Sequence, residues 1–422
     1  MEQTGNNRGH SSTPHALHHF QGLFNFRLAT VFQILYDMSV QTVGRMTSNI
    51  PRNRRKRIVC AAICLIAGVS LSLNCLFVAP YLIKHWNADN TPCFQTTCDD
   101  SKVIEAVLEA SMSRGKPKMV MSEFRGLPRD IESLFTKPRV SKIENNYYTA
   151  YKMAGVSQYA QATRDEKAVA YTIETANRLT DTSGLLRYKL EVVDQAPIGI
   201  LLLNAYKLSC EPRFLVAAQH VYAFLKGKRL SGNYIPYRSS NLFLTDALGM
   251  YVPFLMEYYA VTGDEEAYGI AKANMDIFNE GGVDRDTALP CHAFWVSERV
   301  KVGSANWGRG IGWYLLAVAY FPETNTSLLA SSVEKLSYTQ FPGSSDRFDS
   351  STALMFEIYK QSTQVGRKLR LDFIKPYVRQ NGNVTNCSGD TYGVNDYSHS
   401  FGDSELCNGL LLLLWSKYNG AQ

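Results

Sequence analysis

Six side chains along the chain have the types that sugar chemistry requires: two carboxylates, an imidazole, a guanidinium and two indoles. In chain order they are Asp194, Asp246, His292, Trp307, Arg309 and Trp313. One carboxyl group can donate or accept a proton while a second orients water or holds a hydroxyl group. Indole faces cover the apolar faces of pyranose rings, and a guanidinium matches a uronate carboxylate through two parallel hydrogen bonds. The set therefore indicates a site for an acidic sugar.

The densest part of this set is the heptapeptide Trp307-Gly308-Arg309-Gly310-Ile311-Gly312-Trp313. Its three glycines leave a backbone that a ligand can approach closely. The apolar spacing that follows predicts a helix over Gly310–Phe321. Because the amide groups at a helix N-terminus favour an anion, the heptapeptide is well placed to hold a carboxylate.

The heptapeptide resembles the Trp-x-Arg-Gly-x-Gly-Trp motif of the unsaturated glucuronyl and rhamnogalacturonyl hydrolases, which are glycoside hydrolases with an (α/α)6-barrel fold. Four further segments are similar to the family in the same order. They are Asp194–Gly199, which resembles the segment of the second carboxylate; Asp246–Leu255, which resembles the segment of the catalytic Asp; Cys291-His292-Ala293, at the position of a sugar-binding His; and Asp349–Ala353, which resembles a segment that opens a barrel helix. The resemblance covers roughly residues 140–418 and extends to polysaccharide-biosynthesis proteins of the same fold.

The resemblance implies a mechanism in which an Asp protonates C4 of a 4,5-unsaturated uronyl residue and water adds at C5. The hemiketal that forms then rearranges and releases the neighbouring sugar. By resemblance, Asp246 is the catalytic acid/base and Asp194 is a catalytic carboxylate that positions the reactants. The substrate-binding residues that the resemblance implies are His292, Trp307, Arg309 and Trp313. The partner is thus an acidic, uronic-acid-containing oligo- or polysaccharide.

Departures from the family pattern favour a different sugar or a different role. The family often has Trp two residues before the catalytic Asp, where this chain has Leu244. Phe294-Trp295-Val296 follows the sugar-binding position, where the family has an acidic residue. The segment Cys387–Gly393 is similar to relatives that accompany polysaccharide-building enzymes. A non-catalytic glycan-binding or assembly factor in polysaccharide or glycoconjugate biosynthesis is therefore the alternative function, and a purely structural ectodomain is a third.

Each candidate residue also has an ordinary structural role. An Asp near a helix start usually caps the helix, which applies to both Asp194 and Asp246. His292 and the two tryptophans can be buried packing residues, and Arg309 can pair with a structural carboxylate. Convergence of these side chains at one end of a barrel would favour the catalytic interpretation.

Apolar residues recur at three- and four-residue spacing in about twelve segments, whereas strand-like alternation is scarce. Consecutive helical hairpins in this number favour a closed (α/α)6 barrel of six hairpins. An open solenoid is the alternative, although no repeat of fixed period is present. The clear segments are Arg164–Leu179, Pro197–Leu208, Pro212–Leu225, Leu244–Val261, Glu265–Phe278, Gly310–Phe321, Ser327–Leu336, Ser350–Tyr359 and Glu405–Tyr418. The weaker ones are Lys102–Met112, Tyr147–Tyr159 and Gly366–Ile374.

The segment Ile58–Ile83 contains no charged residue and exceeds the roughly 20 apolar residues that a transmembrane helix needs. It begins too late for a cleaved signal peptide. The basic run Arg52–Arg57 precedes it, and only Lys84 and His85 follow closely, so the N-terminus is expected in the cytoplasm. We therefore expect a single-pass type II membrane protein whose larger part is lumenal, periplasmic or extracellular, in the Golgi or endoplasmic reticulum of a eukaryote. Its expected parts are a cytoplasmic tail 1–57, a transmembrane helix 58–83, a stem and lead-in 84–139, and an (α/α)6 glycan-acting domain 140–422.

The net charge of +6 arises within residues 1–57, which hold eight basic and two acidic residues. The remainder of the chain is balanced, so no nucleic-acid partner is expected. The six cysteines beyond the predicted span suit an oxidising compartment, and Cys93 and Cys98 are close enough to pair. Sequons for glycosylation begin at Asn325, Asn383 and Asn386. No metal or cofactor is expected, because the histidines lack metal-ligand spacing and no phosphate loop or dinucleotide motif is present.

Overall fold

The computed structural model describes residues 51, 54, 57–58, 60–72, 91–113, 147–230, 234–237, 241–303, 307–336, 348–364, 367–389, 391, 393–394 and 401–419. The chain divides into two units, Met1–Trp86 and Asn87–Gln422. In the first unit, residues 60–72 are helical. Over the described residues, no helix combines the length and the apolar character that a membrane span requires. The predicted transmembrane segment Ile58–Ile83 is therefore not confirmed, and its residues 73–83 lie outside the described part of the chain.

The second unit is mostly helical, as the apolar periodicity predicts. Its helices are α1 (Asp100–Met112), α2 (Tyr147–Thr163), α3 (Glu166–Leu179), α4 (Ile198–Ser209), α5 (Pro212–Gly227), α6 (Thr245–Thr262), α7 (Glu265–Gly281), α8 (Gly308–Tyr320), α9 (Ser327–Lys335), α10 (Ser350–Thr363) and α11 (Glu405–Asn419). Side chains that accept hydrogen bonds from first-turn amides define the starts of five of these helices. The capping residues are Asp99, Asp165, Asp264, Thr326 and Asp349.

The helices form a closed ring with a second layer outside it. In the inner layer α2 packs against α4, α4 against α6, α6 against α8, α8 against α10 and α10 against α11, and α11 returns to α2. Outside this ring, α3 packs on α2 and α4, α5 on α4, α7 on α6, and α1 on α11. An open solenoid would leave α2 and α11 apart, so the closed (α/α)6 barrel is the architecture that fits.

Ring closure depends on two glycines that face each other where α2 crosses α11. A Cβ atom on Gly155 would lie 2.1 Å from the carbonyl oxygen of Gly409, and one on Gly409 would lie 2.2 Å from the carbonyl oxygen of Tyr151. No side chain fits at such distances, so the two backbones touch directly. Close approach at glycine also joins α6 to α8, where a Cβ on Gly249 would lie 2.6 Å from the Trp313 ring.

The N-termini of neighbouring inner helices meet at one end of the barrel. The Thr149 hydroxyl of α2 donates to Glu405 at the start of α11 over 2.8 Å. The Thr245 hydroxyl at the start of α6 donates to the Gly310 carbonyl in the first turn of α8 over 3.5 Å. The Ser350 amide of α10 donates to the carbonyl of Asn386, in the connection that leads to α11, over 3.0 Å. We call this face of the ring the N-terminal end.

Two small sheets lie in the connections that lead to this end. Strands β1 (Leu242–Leu244), β2 (Ala293–Trp295) and β3 (Val300–Val302) form an antiparallel sheet in that order. Strands β4 (Cys387–Ser388) and β5 (Phe401–Gly402) form an antiparallel pair. A disulfide between Cys387 and Cys407 links β4 to α11, whereas Cys93 and Cys98 are not bonded to each other. The tertiary fold thus selected a pairing that the sequence left open.

The helix predicted at Gly366–Ile374 is wrong. Residues 367–371 form no regular element, and a turn and the short 3-10 helix Lys375–Tyr377 follow. Leu369 and Leu371 are buried while their neighbours Lys368 and Arg370 are exposed, which is a period of two. The apolar residues of this short segment fit a helical period equally well. Only the burial of both leucines in the structure distinguishes the period of two from the helical period.

Replacing Gly155 with Ala should destabilise the barrel, because the new methyl group must push α2 away from the Gly409 backbone. Overpacking of this kind costs about 1–3 kcal/mol, to be measured by denaturant unfolding of the second unit. Gly269→Ala in α7 is the matched control, since a Cβ there meets nothing within 4 Å. That control should be neutral or stabilising by up to about 1 kcal/mol. Equal effects of the two substitutions would contradict the role assigned to the α2–α11 contact.

Candidate active site

The β1–β2 pairing brings His292 beside the start of α6, which carries Asp246. Leu244 pairs with Ala293, and the Thr245 amide donates to the His292 carbonyl oxygen over 3.0 Å. Asp246 is the second residue of α6 and is half-buried. The N-cap position is taken by Leu244, which makes no side-chain cap. Asp246 is therefore not the N-cap of its helix.

His292, Trp307 and Arg309 form a compact cluster at the N-terminal end. The His292 and Trp307 rings lie 4.2 Å apart between centroids, and the Arg309 guanidinium carbon lies 5.9 Å from the centroid of the Trp307 ring. Each of the three residues is at most 3% exposed. Burial, with a further contribution from the Arg309 charge, lowers the pKa of His292 from 6.5 to about 4. The imidazole is thus neutral near pH 7 and can both donate and accept a hydrogen bond.

Arg309 joins this cluster to the connection between α10 and α11. One terminal nitrogen donates to the Ser388 carbonyl over 2.8 Å and the other to the Gly389 carbonyl over 2.6 Å. The Ser388 amide in turn donates to the buried carboxylate of Asp349 over 2.8 Å. Asp349 also caps α10 by accepting from the Thr352 amide. A carboxylate, a strand residue and a guanidinium are therefore connected across α10, β4 and α8.

Asp194 lies in the short 3-10 helix Val193–Gln195, which packs against α6 and α2. The N-cap of the following helix α4 is Pro197, without a side-chain cap, so Asp194 does not occupy that position. The Tyr237 hydroxyl donates to the Asp194 carboxylate over 2.8 Å. Tyr237 belongs to the connection that leads into α6, the helix of Asp246. The two carboxylates thus lie on segments that pack together at the N-terminal end.

Trp313 and the glycines of the heptapeptide serve interhelical packing. Trp313 is 2% exposed, and its ring lies 5.4 Å from that of Tyr151 and 5.9 Å from that of Tyr147. A Cβ on Gly310 would lie 2.2 Å from the Trp307 ring, and one on Gly312 would lie 2.7 Å from Met355. The close approach expected for a ligand is therefore made by the protein itself, and α8 begins at Gly308 rather than Gly310.

The structure adds three residues to the site that the sequence did not single out for chemistry: Tyr237, Ser388 and Gly389. Asp349 was noted only as a helix opener, yet its carboxylate also fixes Ser388. No local pattern marks Tyr237, because its partner Asp194 is 43 positions away in the chain. Clusters of three or more potential metal ligands are absent from the part of the chain that the structure describes.

Stability should fall below pH 6.5 because of His292. Between pH 6.5 and about 4 the unfolded chain binds a proton at this imidazole, whereas the folded chain does not. The free energy of unfolding should therefore decrease over that window, by about 3 kcal/mol from this group, and level off below it. Thermal melting of wild type and His292→Gln from pH 7.5 to 4 measures the effect, with His220→Gln on α5 as the control. A wild-type slope that His292→Gln leaves unchanged would contradict the assignment.

Comparison with known proteins gives one family match and several structures of similar fold. The model of Glycosyl Hydrolase Family 88 matches residues 131–340. A possible member of family GH105 from Klebsiella pneumoniae subsp. pneumoniae has a similar structure, with a TM-score of 0.60 and 13% identity over 76% of this chain and 94% of that one. An unsaturated glucuronyl hydrolase specific for heparin gives a TM-score of 0.52 and 14% identity over 76% of this chain and 97% of that one. A structure described as a UGL variant with dGlcA-Glc-Rha-Glc gives a TM-score of 0.52 and 15% identity over the same shares of the two chains.

At these identities the three structures establish the fold, and the family match establishes the relationship. The matched residues include Asp194, Asp246 and the whole heptapeptide from Trp307 to Trp313. The resemblance that the heptapeptide first indicated is confirmed. The chain is thus similar to Glycosyl Hydrolase Family 88, and the match over residues 131–340 supports an enzyme of the glycoside hydrolase type.

Proposed function

We propose that this protein is a hydrolase that removes a 4,5-unsaturated uronyl residue from the end of an acidic oligo- or polysaccharide. The observation that carries the proposal is the convergence of Asp246, His292, Trp307 and Arg309 at the N-terminal end of the barrel. His292 and the start of α6 are joined backbone to backbone, and the rings of His292 and Trp307 are in contact. The start of α6, which carries Asp246, is thereby held beside the cluster of a neutral imidazole, an indole and a buried guanidinium.

In the proposed reaction, the Asp246 carboxyl group donates its proton to C4 of the unsaturated ring. Water adds at C5, and its proton returns to the Asp246 carboxylate, so that the residue acts first as acid and then as base. Asp194, oriented by the Tyr237 hydroxyl, positions the water or a ring hydroxyl. The hemiketal at C5 then opens and the neighbouring sugar leaves. The net reaction consumes the substrate and one water molecule, because the water that adds at C5 returns to Asp246 the proton that C4 received.

An acidic sugar suits the electrostatics of this end of the barrel. Inner helices α6, α8, α10 and α11 begin there, and helix N-termini carry a partial positive charge. The Arg309 charge is strong enough at His292 to help lower the pKa of that imidazole. Two proteins of similar fold support this substrate class. One is an unsaturated glucuronyl hydrolase specific for heparin, and the other is a UGL variant whose structure is with dGlcA-Glc-Rha-Glc.

Asp246→Asn should abolish turnover while leaving the fold intact. General acid–base catalysis contributes about 10²–10⁴-fold, so kcat on unsaturated uronyl disaccharides should fall by that factor. The measurement is loss of absorbance from the substrate double bond, with thermal melting alongside. Melting should be unchanged, because Leu244 rather than Asp246 occupies the N-cap of α6.

Asp264→Asn is the matched control, because Asp264 caps α7, which follows the C-terminal end of α6. Asn caps a helix about as well as Asp, so this variant should keep both activity and stability. Full activity of Asp246→Asn would contradict the assigned role. If the wild type binds acidic glycans without turnover on a broad panel, the protein is instead a glycan-binding or assembly factor.

We also propose that residues 58–83 tether the domain to a membrane, with the basic run before them in the cytoplasm. The support is the uncharged sequence of this segment and the charge asymmetry at its ends. Protease added to the cytoplasmic face of intact vesicles should digest an N-terminal tag and spare a C-terminal one. Digestion of both tags from that face, or recovery of the protein in the wash rather than with the membranes, would refute the tether.

A further inference from the structure

Most of the strongly exposed apolar side chains of the second unit lie in connections between helices. Over the described residues of this unit, the large hydrophobic side chains with the greatest exposure are Leu185, Leu230, Trp295, Val300 and Leu328. All except Leu328 lie in connections that run from an outer helix into the next inner helix. These are the connections that also carry Asp194, Tyr237 and His292. Trp295 and Val300 lie in the same connection as His292, and Trp295 is the aromatic member of the exposed set.

Trp295 is held on a rigid strand whose other face is buried. Phe294, the preceding residue of β2, packs with Phe243 and Phe278 at ring distances of 5.8 and 5.5 Å. Because side chains alternate across a strand, Trp295 points to the opposite face, where it is 38% exposed. Its cross-strand partners on that face are Leu242 and Val300. The indole is therefore displayed on a fixed apolar row rather than on a loose loop.

The strand of Trp295 begins at the active site. β2 directly follows His292, and its partner β1 leads directly into Thr245 and Asp246. At about 3.4 Å per residue, Trp295 lies roughly 10 Å along the strand from His292. A sugar chain with its terminal ring at Asp246 and its next rings along β2 would reach the indole.

Polar groups beside Trp295 suit the hydroxyl groups of such a chain. The Asn241 side-chain amide donates to the Glu298 carboxylate over 2.9 Å and also contacts the Ser297 hydroxyl. The Val296 amide donates to the Asn241 carbonyl, which fixes this group against β2. An aromatic face flanked by an amide, a hydroxyl and a carboxylate offers both stacking and hydrogen bonding to a pyranose ring.

We propose that Trp295 is a stacking platform for a sugar at the second or a later position beyond the bond to be cleaved, so that the enzyme prefers substrates longer than a disaccharide. This inference rests on the proposed function, since the occupant is the remainder of the same substrate. It also gives a role to the Phe294-Trp295-Val296 segment, which departs from the acidic residue of the family.

The test compares substrate lengths. For an unsaturated uronyl disaccharide, kcat and KM of Trp295→Ala should stay within about twofold of the wild-type values. For the corresponding tetrasaccharide, KM should rise by about 3- to 10-fold, because that is the loss expected when one aromatic stacking contact is removed. Trp295→Phe should restore most of the tetrasaccharide KM. Leu328→Ala removes a comparably exposed apolar side chain outside these connections and should change neither substrate.

Equal KM changes for both lengths, or none for the tetrasaccharide, would overturn the platform. If the wild type turns over neither substrate, the proposed reaction fails, and calorimetric binding of the tetrasaccharide decides the platform separately. Weaker binding by Trp295→Ala than by wild type supports the platform, while equal binding or no wild-type binding overturns it. A change in oligomeric state on Trp295→Ala with unchanged sugar kinetics would assign the indole to a protein contact and likewise overturn it.

Discussion

The structure depends on the direct backbone contact between α2 and α11 at Gly155 and Gly409. Without it the chain would be an array of hairpins with free ends. With it, the inner helices close a ring, and segments as distant as α1 and α11 share one core. At this crossing the ring closes only because neither residue has a side chain, since a Cβ on either glycine would lie within 2.2 Å of a backbone atom. The hydrophobic burial along the two helices then stabilises an approach that only glycine permits.

Closing the ring brings the helix starts together and thereby assembles the site. Arg309 is a buried charge, and placing such a charge in the interior costs several kcal/mol unless hydrogen bonds compensate. The carbonyl groups of Ser388 and Gly389 provide that compensation, while Asp349 holds Ser388 in place. The same charge helps to keep His292 neutral. A single network therefore fixes the geometry of the connection to α11 and, together with burial, keeps the imidazole neutral.

The residues that match the family and those that depart from its pattern lie in different parts of the molecule. The matched core, with its two carboxylates and its heptapeptide, relates the chain to glycoside hydrolases. The connections before α6 and α8 of this chain carry an apolar three-stranded sheet beside the site. Rigid helices with variable connections are a common way to retain a reaction while changing the substrate. The same division would suit the proposed function, with the reaction assigned to the barrel and the preference for chain length to a connection outside it.

Much of the fold was determined by the sequence alone. The three- and four-residue apolar period located the helices, and the turn at Gly263 with Asp264 capping the next helix is a local signal that needs no partner. The heptapeptide and the two Asp segments pointed to the family, whereas their positions at one end of the barrel came from the structure. The prediction of secondary structure was less reliable for short segments such as Gly366–Ile374, because a few leucines fit a helix or an extended strand equally well.

Only the tertiary structure determined which hydrogen-bond and disulfide partners these residues have. The bond from Tyr237 to Asp194, the carbonyl groups that receive Arg309, and the pairing of Cys387 with Cys407 each join positions far apart in sequence or left open by it. The heptapeptide glycines were interpreted from sequence as room for a ligand, but they accommodate Trp307 and Met355. A sequence specifies which residue is small or charged, whereas the atom that occupies the adjacent space is set by the packing of the whole ring.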